Sequence, residues 1–244
     1  MSNIVNDKVL EYINGYYKPK RTELAEFRAD AEMRKIPIIL KDTESFLGMI
    51  ADLSRPKRIL EIGTAIGYSA AFLASALPSC RVVTIEREED AHAEAVLNME
   101  RLGLADRVTC LKGDAIEIMA QLADEQDRRY FDIYGDCEKS SAESGAEPTE
   151  GEPFDFVFID AGKSHYAQFL ECAMKLIGEG ALIVCDNVLM KGKTAADEYD
   201  PTGKYKTSIR KMRAFIEMIT SDTRLDTTIL AVGDGISVSR VNSK

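Results

Sequence analysis

The architecture of this chain is set at residues 60–69, which read Leu60-Glu61-Ile62-Gly63-Thr64-Ala65-Ile66-Gly67-Tyr68-Ser69. The apolar residues at 58–62 are typical of a short buried strand, and the small residues at 68–77 favour a helix. Gly63 and Gly67 allow the backbone between them to approach a ligand closely, and the start of the helix offers unpaired N–H groups. The sequence therefore predicts a strand, a glycine turn and a helix that together line a ligand site.

The glycine spacing indicates the kind of ligand. Gly63 and Gly67 form a G-x-x-x-G pattern, whereas a dinucleotide pyrophosphate is held by G-x-G-x-x-G. The spacing favours a nucleoside without a pyrophosphate, such as S-adenosylmethionine, and disfavours a dinucleotide-dependent dehydrogenase. Many turns of this kind carry glycine for packing alone, so the motif needs support from other strand ends.

Strand–helix alternation extends outward from this turn. Apolar residues at helical spacing precede it at 4–17 and 22–34, and Asp42 or Thr43 is suited to cap a third helix. Near the other end, Gly233-Asp234-Gly235 is typical of a hairpin turn, so the last two strands should be antiparallel. Repeated β-α-β units predict a doubly wound α/β fold with N-terminal helices and a mainly parallel seven-stranded sheet, whose ligand crevice lies at the strand carboxyl ends. The predicted strands are 58–62, 81–86, 107–111, 154–159, 181–185, 226–232 and 235–240, and the helices between them are 68–77, 89–102, 115–122, 165–177 and 208–220.

Length and charge leave the partner open. The 244 residues suit a single domain spanning 1–244. The net charge of -10 argues against a nucleic-acid partner, but the segment 123–153 carries most of that charge and is too polar to bury a core. We therefore expect a flexible acidic insertion at 123–153. A basic cluster follows the fifth strand and contains Lys191, Lys193, Lys204, Lys206, Arg210, Lys211 and Arg213.

Cysteine use and hydropathy favour a cytoplasmic protein. The five cysteines are scattered without a C-x-x-C pair, which disfavours a disulfide framework or a thiolate zinc site. No apolar run approaches the roughly 20 residues of a membrane helix, and the first residues do not resemble a secretory signal. We expect no membrane partner.

Acidic residues close the second and third predicted strands. Glu86 ends the second strand, where a carboxylate can accept both hydroxyls of a ribose, but it equally suits the start of a helix. Asp114, followed by Ala115, ends the third strand and can either reach an adenine amino group or cap the next helix. Singly, each residue leaves both interpretations open. Their shared position at successive strand ends favours a nucleoside site.

A second group of polar residues ends the fourth and fifth strands. Asp160 and the pair Asp186-Asn187 supply two carboxylates and one amide oxygen, which are hard ligands suited to Mg²⁺, Mn²⁺ or Ca²⁺. Lys163 lies close enough to Asp160 to face the same pocket. As a base, Lys163 must first lose its own proton, which burial and an adjacent cation favour. The alternative is a surface lysine that pairs with Asp160.

At these residues the chain resembles the cation-dependent O-methyltransferases, the group that contains catechol and caffeoyl-CoA O-methyltransferases. The resemblance runs from about Arg34 to Arg240, apart from the acidic insertion. It implies a Rossmann-like class I methyltransferase fold, a homodimer, and Mg²⁺ or another hard cation held by Asp160, Asp186 and Asn187. It also implies that Lys163 is the catalytic base. The residues implied to contact S-adenosylmethionine are Ile39, Gly63, Ser69, Glu86, Asp114, Ala115 and Asp160.

Within that family, four stretches look like the bacterial tRNA 5-hydroxyuridine methyltransferases. They are residues 60–70, 84–87, 186–192 and 233–239. This likeness implies methylation of the wobble uridine to 5-methoxyuridine, with tRNA as the partner and the basic cluster on its phosphates. The chain has no tryptophan for base stacking; the aromatic candidates are Tyr166, Tyr199 and Tyr205.

Two other functions remain open from the sequence. The first keeps the enzyme but replaces tRNA with a small catechol-like metabolite. The second is a nucleoside-binding interaction protein without catalysis, which the presence of Asp160, Lys163, Asp186 and Asn187 disfavours.

Overall fold

The computed structural model describes residues 4–134 and 152–243, and for residues 125–134 it describes the backbone alone. Its strands are β1 Arg58–Ile62, β2 Arg81–Glu86, β3 Val108–Lys112, β4 Phe154–Ile159, β5 Ile177–Cys185, β6 Leu225–Leu230 and β7 Ile236–Val241. They form one seven-stranded sheet in the order β3-β2-β1-β4-β5-β7-β6. Neighbours from β3 to β5 are parallel, and β7 is antiparallel to both β5 and β6. The predicted fold class is confirmed, including the antiparallel C-terminal pair.

Helices cover both faces of this sheet. They are α1 Asp7–Asn14, α2 Thr22–Met33, α3 Lys41–Ser54, α4 Tyr68–Ala76, α5 Glu89–Arg101, α6 Ala115–Tyr134, α7 Tyr166–Ala173 and α8 Lys206–Ser221. On one face, Leu170 of α7 and Phe215 of α8 belong to the same buried cluster as Ile159. On the other face, Leu47 of α3 and Phe72 of α4 are buried with strand residues of β1 and β4. Burial of each such side chain stabilises the fold by about 1.5–3 kcal/mol.

The carboxyl ends of the central strands lie side by side. The strand order reverses between β1 and β4, which opens a crevice at this edge of the sheet. Backbone bonds continue past the strands: Asp160 N donates to the Ile62 carbonyl oxygen and Asp186 N to that of Ile159, both at 3.0 Å. Asp160 and Asp186 therefore occupy matching positions just beyond β4 and β5.

Three predicted boundaries were wrong by four or more residues. Helix α6, predicted to end at Leu122, continues to Tyr134, so residues 123–134 of the predicted acidic insertion are helical. Residues 135–151 of that segment lie outside the described part of the chain. Helix α7 ends at Ala173 and β5 already begins at Ile177, where an irregular register pairs it with Phe154.

The predicted cap of α3 was also wrong. The N-cap residue is Leu40, whose side chain makes no capping hydrogen bond, although Asp42 Oδ1 accepts from the Thr43 N–H at 3.0 Å within the first turn. Asp42 Oδ2 accepts a hydrogen bond from the Gly233 N–H at 2.8 Å, which ties α3 to the turn between β6 and β7. Across 4–134 and 152–243, no helix has both the length and the apolar character that crossing a bilayer requires.

Candidate active site

Two adjoining cavities lie at the strand carboxyl ends. The first, about 570 Å³, contains seven predicted site residues: Ile39, Gly63, Ser69, Asp160, Lys163, Asp186 and Asn187. The second, about 430 Å³, contains five: Gly63, Glu86, Asp114, Ala115 and Asp160. Gly63 and Asp160 line both cavities, so the two form one crevice around the turn after β1. The structure brings every predicted site residue to this crevice.

The two glycines of the turn have steric reasons to be glycine. Gly63 has φ +97°, and a Cβ there would collide with the Asp160 carbonyl oxygen. Gly67 has φ +88°, and a Cβ there would meet the side chains of Met99 and Ala95. Gly63 thus permits the close approach of β1 to β4, and Gly67 that of α4 to α5. This packing role was the alternative left open for the motif.

Glu86 is held at the second cavity by three backbone N–H groups. Its Oε2 accepts from Ala65 at 2.8 Å, and its Oε1 accepts from Arg87 at 2.8 Å and Glu88 at 2.9 Å. The carboxylate therefore connects the glycine turn to the start of α5. Oε1 thereby accepts two hydrogen bonds and Oε2 one, so Oε2 keeps the lone-pair site with which to accept from a ligand hydroxyl.

Asp114 caps α6 and also lines the second cavity. Its Oδ1 accepts from the Ile116 N–H at 2.9 Å, which is the helix-capping alternative of the sequence interpretation. Its place beside Ala115 in the cavity wall is the ligand-facing alternative. Both roles are compatible because the cap uses one carboxylate oxygen.

A buried polar group supports the glycine turn from below. Thr84 donates to Glu61 Oε2 at 2.5 Å, and its hydroxyl also lies 2.5 Å from that of Thr64. Glu61 is fully buried, and its Oε1 has no hydrogen-bond partner in the described residues. Burial raises the pKa of Glu61 to about 7, the nearby hydroxyls of Ser69 and Thr84 oppose the rise, and the charges of Asp160 and Glu86 add to it.

Asp160 and Asp186 destabilise each other as carboxylates. Burial, reinforced by the charge of Asp160, raises the pKa of Asp186 to about 7. Burial also raises the pKa of Asp160, against the lowering effect of the Lys163 ammonium. A cation between the two carboxylates would remove this penalty, because opposite charge favours their ionised forms.

Asn187 brings an amide oxygen and the lysine to the same place. Its φ of +61° is left-handed, a conformation that asparagine tolerates better than most residues. Its side-chain Oδ1 accepts from Lys163 Nζ at 2.5 Å. Lys163 is half-buried in the first cavity, so the alternative of a surface lysine paired with Asp160 is not what the structure contains.

The donor set fits a hard divalent cation. No three His, Cys, Asp or Glu side chains converge as a metal group in the parts of the chain that are described. The candidate group is instead two carboxylates and one amide oxygen, which are ligands that Mg²⁺, Mn²⁺ and Ca²⁺ prefer.

Several residues that line the first cavity were not predicted as site residues, and two of them bear on its chemistry. Tyr68, the first residue of α4, and Asp234, at the tip of the β6–β7 hairpin, both line the first cavity. The charge of Asp234 contributes to the raised pKa of Asp160. The available signal was topological: β7 runs antiparallel to β5, so the residues that precede β7 must lie at the carboxyl end of β5.

Comparison with known proteins agrees with this geometry. A family model described as "O-methyltransferase" matches residues 14–147 and 145–242. The chain is 32% identical over 234 residues to a catechol O-methyltransferase of Niastella koreensis, which covers 94% of this chain and 92% of that protein. It is 29% identical to the solved O-methyltransferase from Bacillus cereus in complex with SAH, with a TM-score of 0.75 and coverage of 96% and 97% of the two chains. It is 27% identical to the O-methyltransferase TomG from Streptomyces achromogenes in complex with SAM, with a TM-score of 0.72 and coverage of 97% and 96%.

Proposed function

We propose that this chain, which belongs to the O-methyltransferase family, methylates the 5-hydroxyl of wobble 5-hydroxyuridine in tRNA, giving 5-methoxyuridine. The chain is an S-adenosylmethionine-dependent O-methyltransferase; the acceptor, the divalent cation and the residue roles are the proposal. The main observation in its support is the shared crevice. At Gly63 and Asp160, the cavity that contains Glu86 and Asp114 adjoins the cavity that contains Lys163, Asp186 and Asn187.

The donor would occupy both cavities. Glu86 would accept the ribose hydroxyls and Asp114 the adenine amino group, next to Ala115. The methionine part would then pass Gly63 and lie between Ser69, Ile39 and Asp160. This arrangement directs the sulfonium methyl towards Lys163 and Asn187, which line the first cavity.

Asp160, Asp186 and Asn187 would hold the cation and Lys163 would take the proton. A divalent cation supplies positive charge that makes a neighbouring hydroxyl more acidic. As the acceptor oxygen bonds to the methyl carbon, the carbon–sulfur bond breaks and its electron pair stays on sulfur. The hydroxyl proton moves to the neutral amine of Lys163, and the residues around it align the reacting atoms.

The acceptor assignment rests on vicinal oxygens and on the basic residues beside the crevice. A 5-hydroxyl next to the C4 carbonyl of uridine presents two neighbouring oxygens, as a catechol does. Lys191 lines the first cavity, and Lys211 Nζ donates at 3.2 Å to the carbonyl oxygen of Ser164, a residue of the second cavity. The basic cluster thus reaches both cavities, where it is suited to contact phosphates.

Tyr205 is the aromatic residue best placed to stack on a base. Tyr205 is 41% exposed, and the centroid of its ring lies 5.4 Å from Lys193 Nζ and 5.3 Å from Lys204 Nζ. Tyr166, an earlier candidate, is buried and donates to the Asp186 carbonyl oxygen at 2.9 Å. Arg213 of the basic cluster bonds to Thr194 and Asp197, which leaves it a structural role.

The experiment is methylation of tRNA that contains 5-hydroxyuridine, with S-adenosylmethionine and Mg²⁺, followed by nucleoside analysis. We expect 5-methoxyuridine, and its absence would exclude the tRNA acceptor. The Lys193→Ala/Lys204→Ala variant should bind tRNA more weakly. The slope of the logarithm of the binding constant against the logarithm of the salt concentration should fall in magnitude by roughly 1 to 2. The matched control is Lys57→Ala/Lys175→Ala, which removes two exposed lysines that precede β1 and β5 at the opposite edge of the sheet.

A small catechol is the second candidate acceptor. It is favoured by the relative named catechol O-methyltransferase, which matches 94% of this chain. Preferential turnover of free catechols, together with tRNA binding that the lysine variant leaves unchanged, would establish this candidate instead.

A further inference from the structure

We propose that the buried ion pair of Arg28 and Glu44 positions the wall of the donor cavity and thereby sets the affinity for the methyl donor. The inference rests on the proposed place of the donor between Ile39 and Gly63. Arg28 lies on α2 and Glu44 on α3, outside the group of residues that would contact the donor or the cation.

The two charges form one buried hydrogen-bonded cluster, at whose edge Arg28 Nη1 also contacts the exposed Glu32 at 3.4 Å. Arg28 Nη2 lies 2.5 Å from Glu44 Oε2, and the two residues are only 5% and 2% exposed. Tyr17 donates to Glu44 Oε1 at 2.7 Å, and Tyr68 donates to Glu44 Oε2 at 2.7 Å. The cluster therefore neutralises its own charge and satisfies both oxygens of the carboxylate, as a buried ion pair must do to persist.

Arg28 reaches from this cluster to the cavity wall. The same Nη2 donates to the Ile39 carbonyl oxygen at 3.0 Å, and Nε donates to the Tyr68 hydroxyl at 3.1 Å. Ile39 and Tyr68 both line the first cavity, one from the segment before α3 and the other from the first turn of α4. A single guanidinium thus fixes two sides of the cavity relative to each other.

The segment that contains Ile39 has little other backbone support. It is not in a helix or strand. At one end, Ile36 N donates to the Ala31 carbonyl oxygen of α2, and at the other end Glu44 N donates to the Leu40 carbonyl oxygen. At residues 37–39 themselves, the one backbone hydrogen bond among the described residues is the one that Arg28 donates to Ile39. Loss of the guanidinium should therefore release Pro37, Ile38 and Ile39, which all line the cavity, without unfolding the sheet.

The geometry of arginine, and not just its charge, is required. Its planar fork lets adjacent N–H groups serve Glu44, Ile39 and Tyr68 together, whereas a lysine ammonium is a compact charge on a flexible stem. Lysine at this position should keep the ion pair with Glu44 and lose the contacts that position the wall. Arg28→Lys consequently separates charge from positioning.

The test is calorimetric titration of S-adenosylhomocysteine into purified protein, with thermal unfolding measured on the same samples. We expect Arg28→Lys to weaken binding at least 10-fold. We expect the same of Arg28→Met/Glu44→Leu, which leaves no buried unpaired charge, since the other carboxylate that Arg28 contacts, Glu32, is exposed. In turnover assays the KM for S-adenosylmethionine should rise far more than kcat falls. Arg34→Ala is the matched control, because Arg34 follows α2 and forms exposed ion pairs with Asp30 and Glu94 away from the cavity.

A stability control separates positioning from general weakening of the fold. Leu24→Ala removes a buried α2 side chain, so it should lower the unfolding temperature and leave the affinity for S-adenosylhomocysteine unchanged. Unchanged affinity in folded Arg28→Lys would overturn the inference, as would equal loss in Leu24→Ala. If the unaltered protein failed to bind S-adenosylhomocysteine, the donor assignment itself would fall instead.

Discussion

Lys163 and Asn187 touch: the lysine ammonium donates to the asparagine amide oxygen at 2.5 Å, across the carboxyl ends of β4 and β5. The proposed base and a proposed cation ligand are therefore in direct contact. A cation on Asn187 Oδ1 would compete with the ammonium for the same oxygen and repel its charge. Cation binding should accordingly displace the Lys163 side chain from Asn187 Oδ1 and leave it next to the proposed acceptor position.

Replacing Lys163 tests the role of the base. Lys163→Ala should lower kcat by roughly 10²–10⁴-fold, the usual contribution of a positioned acid or base. The affinity for S-adenosylhomocysteine should change far less, because the donor contacts are assigned to other residues. Single-turnover methylation and calorimetry measure the two effects. A loss confined to cofactor affinity would contradict the role of base.

Replacing the proposed cation ligands should separate activity from folding. Asp160→Ala and Asn187→Ala should abolish methyl transfer and leave the circular dichroism spectrum unchanged. Both should also weaken Mn²⁺ binding, measured by electron paramagnetic resonance without donor or acceptor. Glu117→Gln, an exposed change on α6, is the control. Unchanged turnover in either alanine variant would refute the cation assignment.

Much of the sheet could be predicted because its strands are marked locally. The predicted segments 58–62, 81–86 and 154–159 coincide with β1, β2 and β4. Each is an apolar run with a polar residue or a glycine at its end: Gly63 follows β1, Glu86 closes β2 and Asp160 follows β4. The same residues marked the ligand edge, since parallel strands deliver their final residues to one side. By contrast, the predicted α6 is too short. The polarity of residues 123–134 predicts a surface insertion, whereas glutamate, glutamine and arginine are good helix formers and the helix continues through them.

The missed features depend on contacts between distant segments. Asp234 reaches the crevice only because β7 crosses antiparallel beside β5. The contact of Arg28 with Ile39 and Tyr68 requires α2 to pack across the start of α4, which no local pattern specifies. Similarly, the contact of Lys163 with Asn187 depends on the left-handed backbone at Asn187.

Glu61 should make the cation-free protein less stable as pH rises. Its pKa in the folded state is about 7, above the usual carboxyl value, so the folded state binds the proton more tightly than the unfolded state. Its contribution to stability is therefore complete below about pH 4 and is lost as pH rises towards about 7, by roughly 3 kcal/mol in all. Asp186, with a raised pKa of its own, should act in the same direction.

Urea unfolding at pH 5 and pH 8 measures this effect. The unaltered protein should be less stable at pH 8, and Glu61→Gln should remove about 2 to 3 kcal/mol of that difference, because part of the full effect is already lost at pH 5. The exposed Glu117→Gln should leave it unchanged. Equal pH dependence of Glu61→Gln and the unaltered protein would show that Glu61 ionises normally in the folded state.

Asp234 should strengthen cation binding without being a direct ligand. Its turn is fixed on both sides, because Gly233 N donates to Asp42 and the Asp234 carbonyl oxygen accepts from Leu189 N at 3.0 Å. The side chain is thereby held in the wall of the cavity that contains Asp160 and Asp186, where it adds negative charge. Asp234→Asn keeps the shape of the side chain and removes that charge, so the Mn²⁺ affinity should fall about 10-fold, as for other groups just outside a metal's ligands. Asp226→Asn, an exposed change at the far end of the same hairpin, should leave the Mn²⁺ affinity unchanged; an equal loss in both variants would mean that Asp234 acts only through net charge.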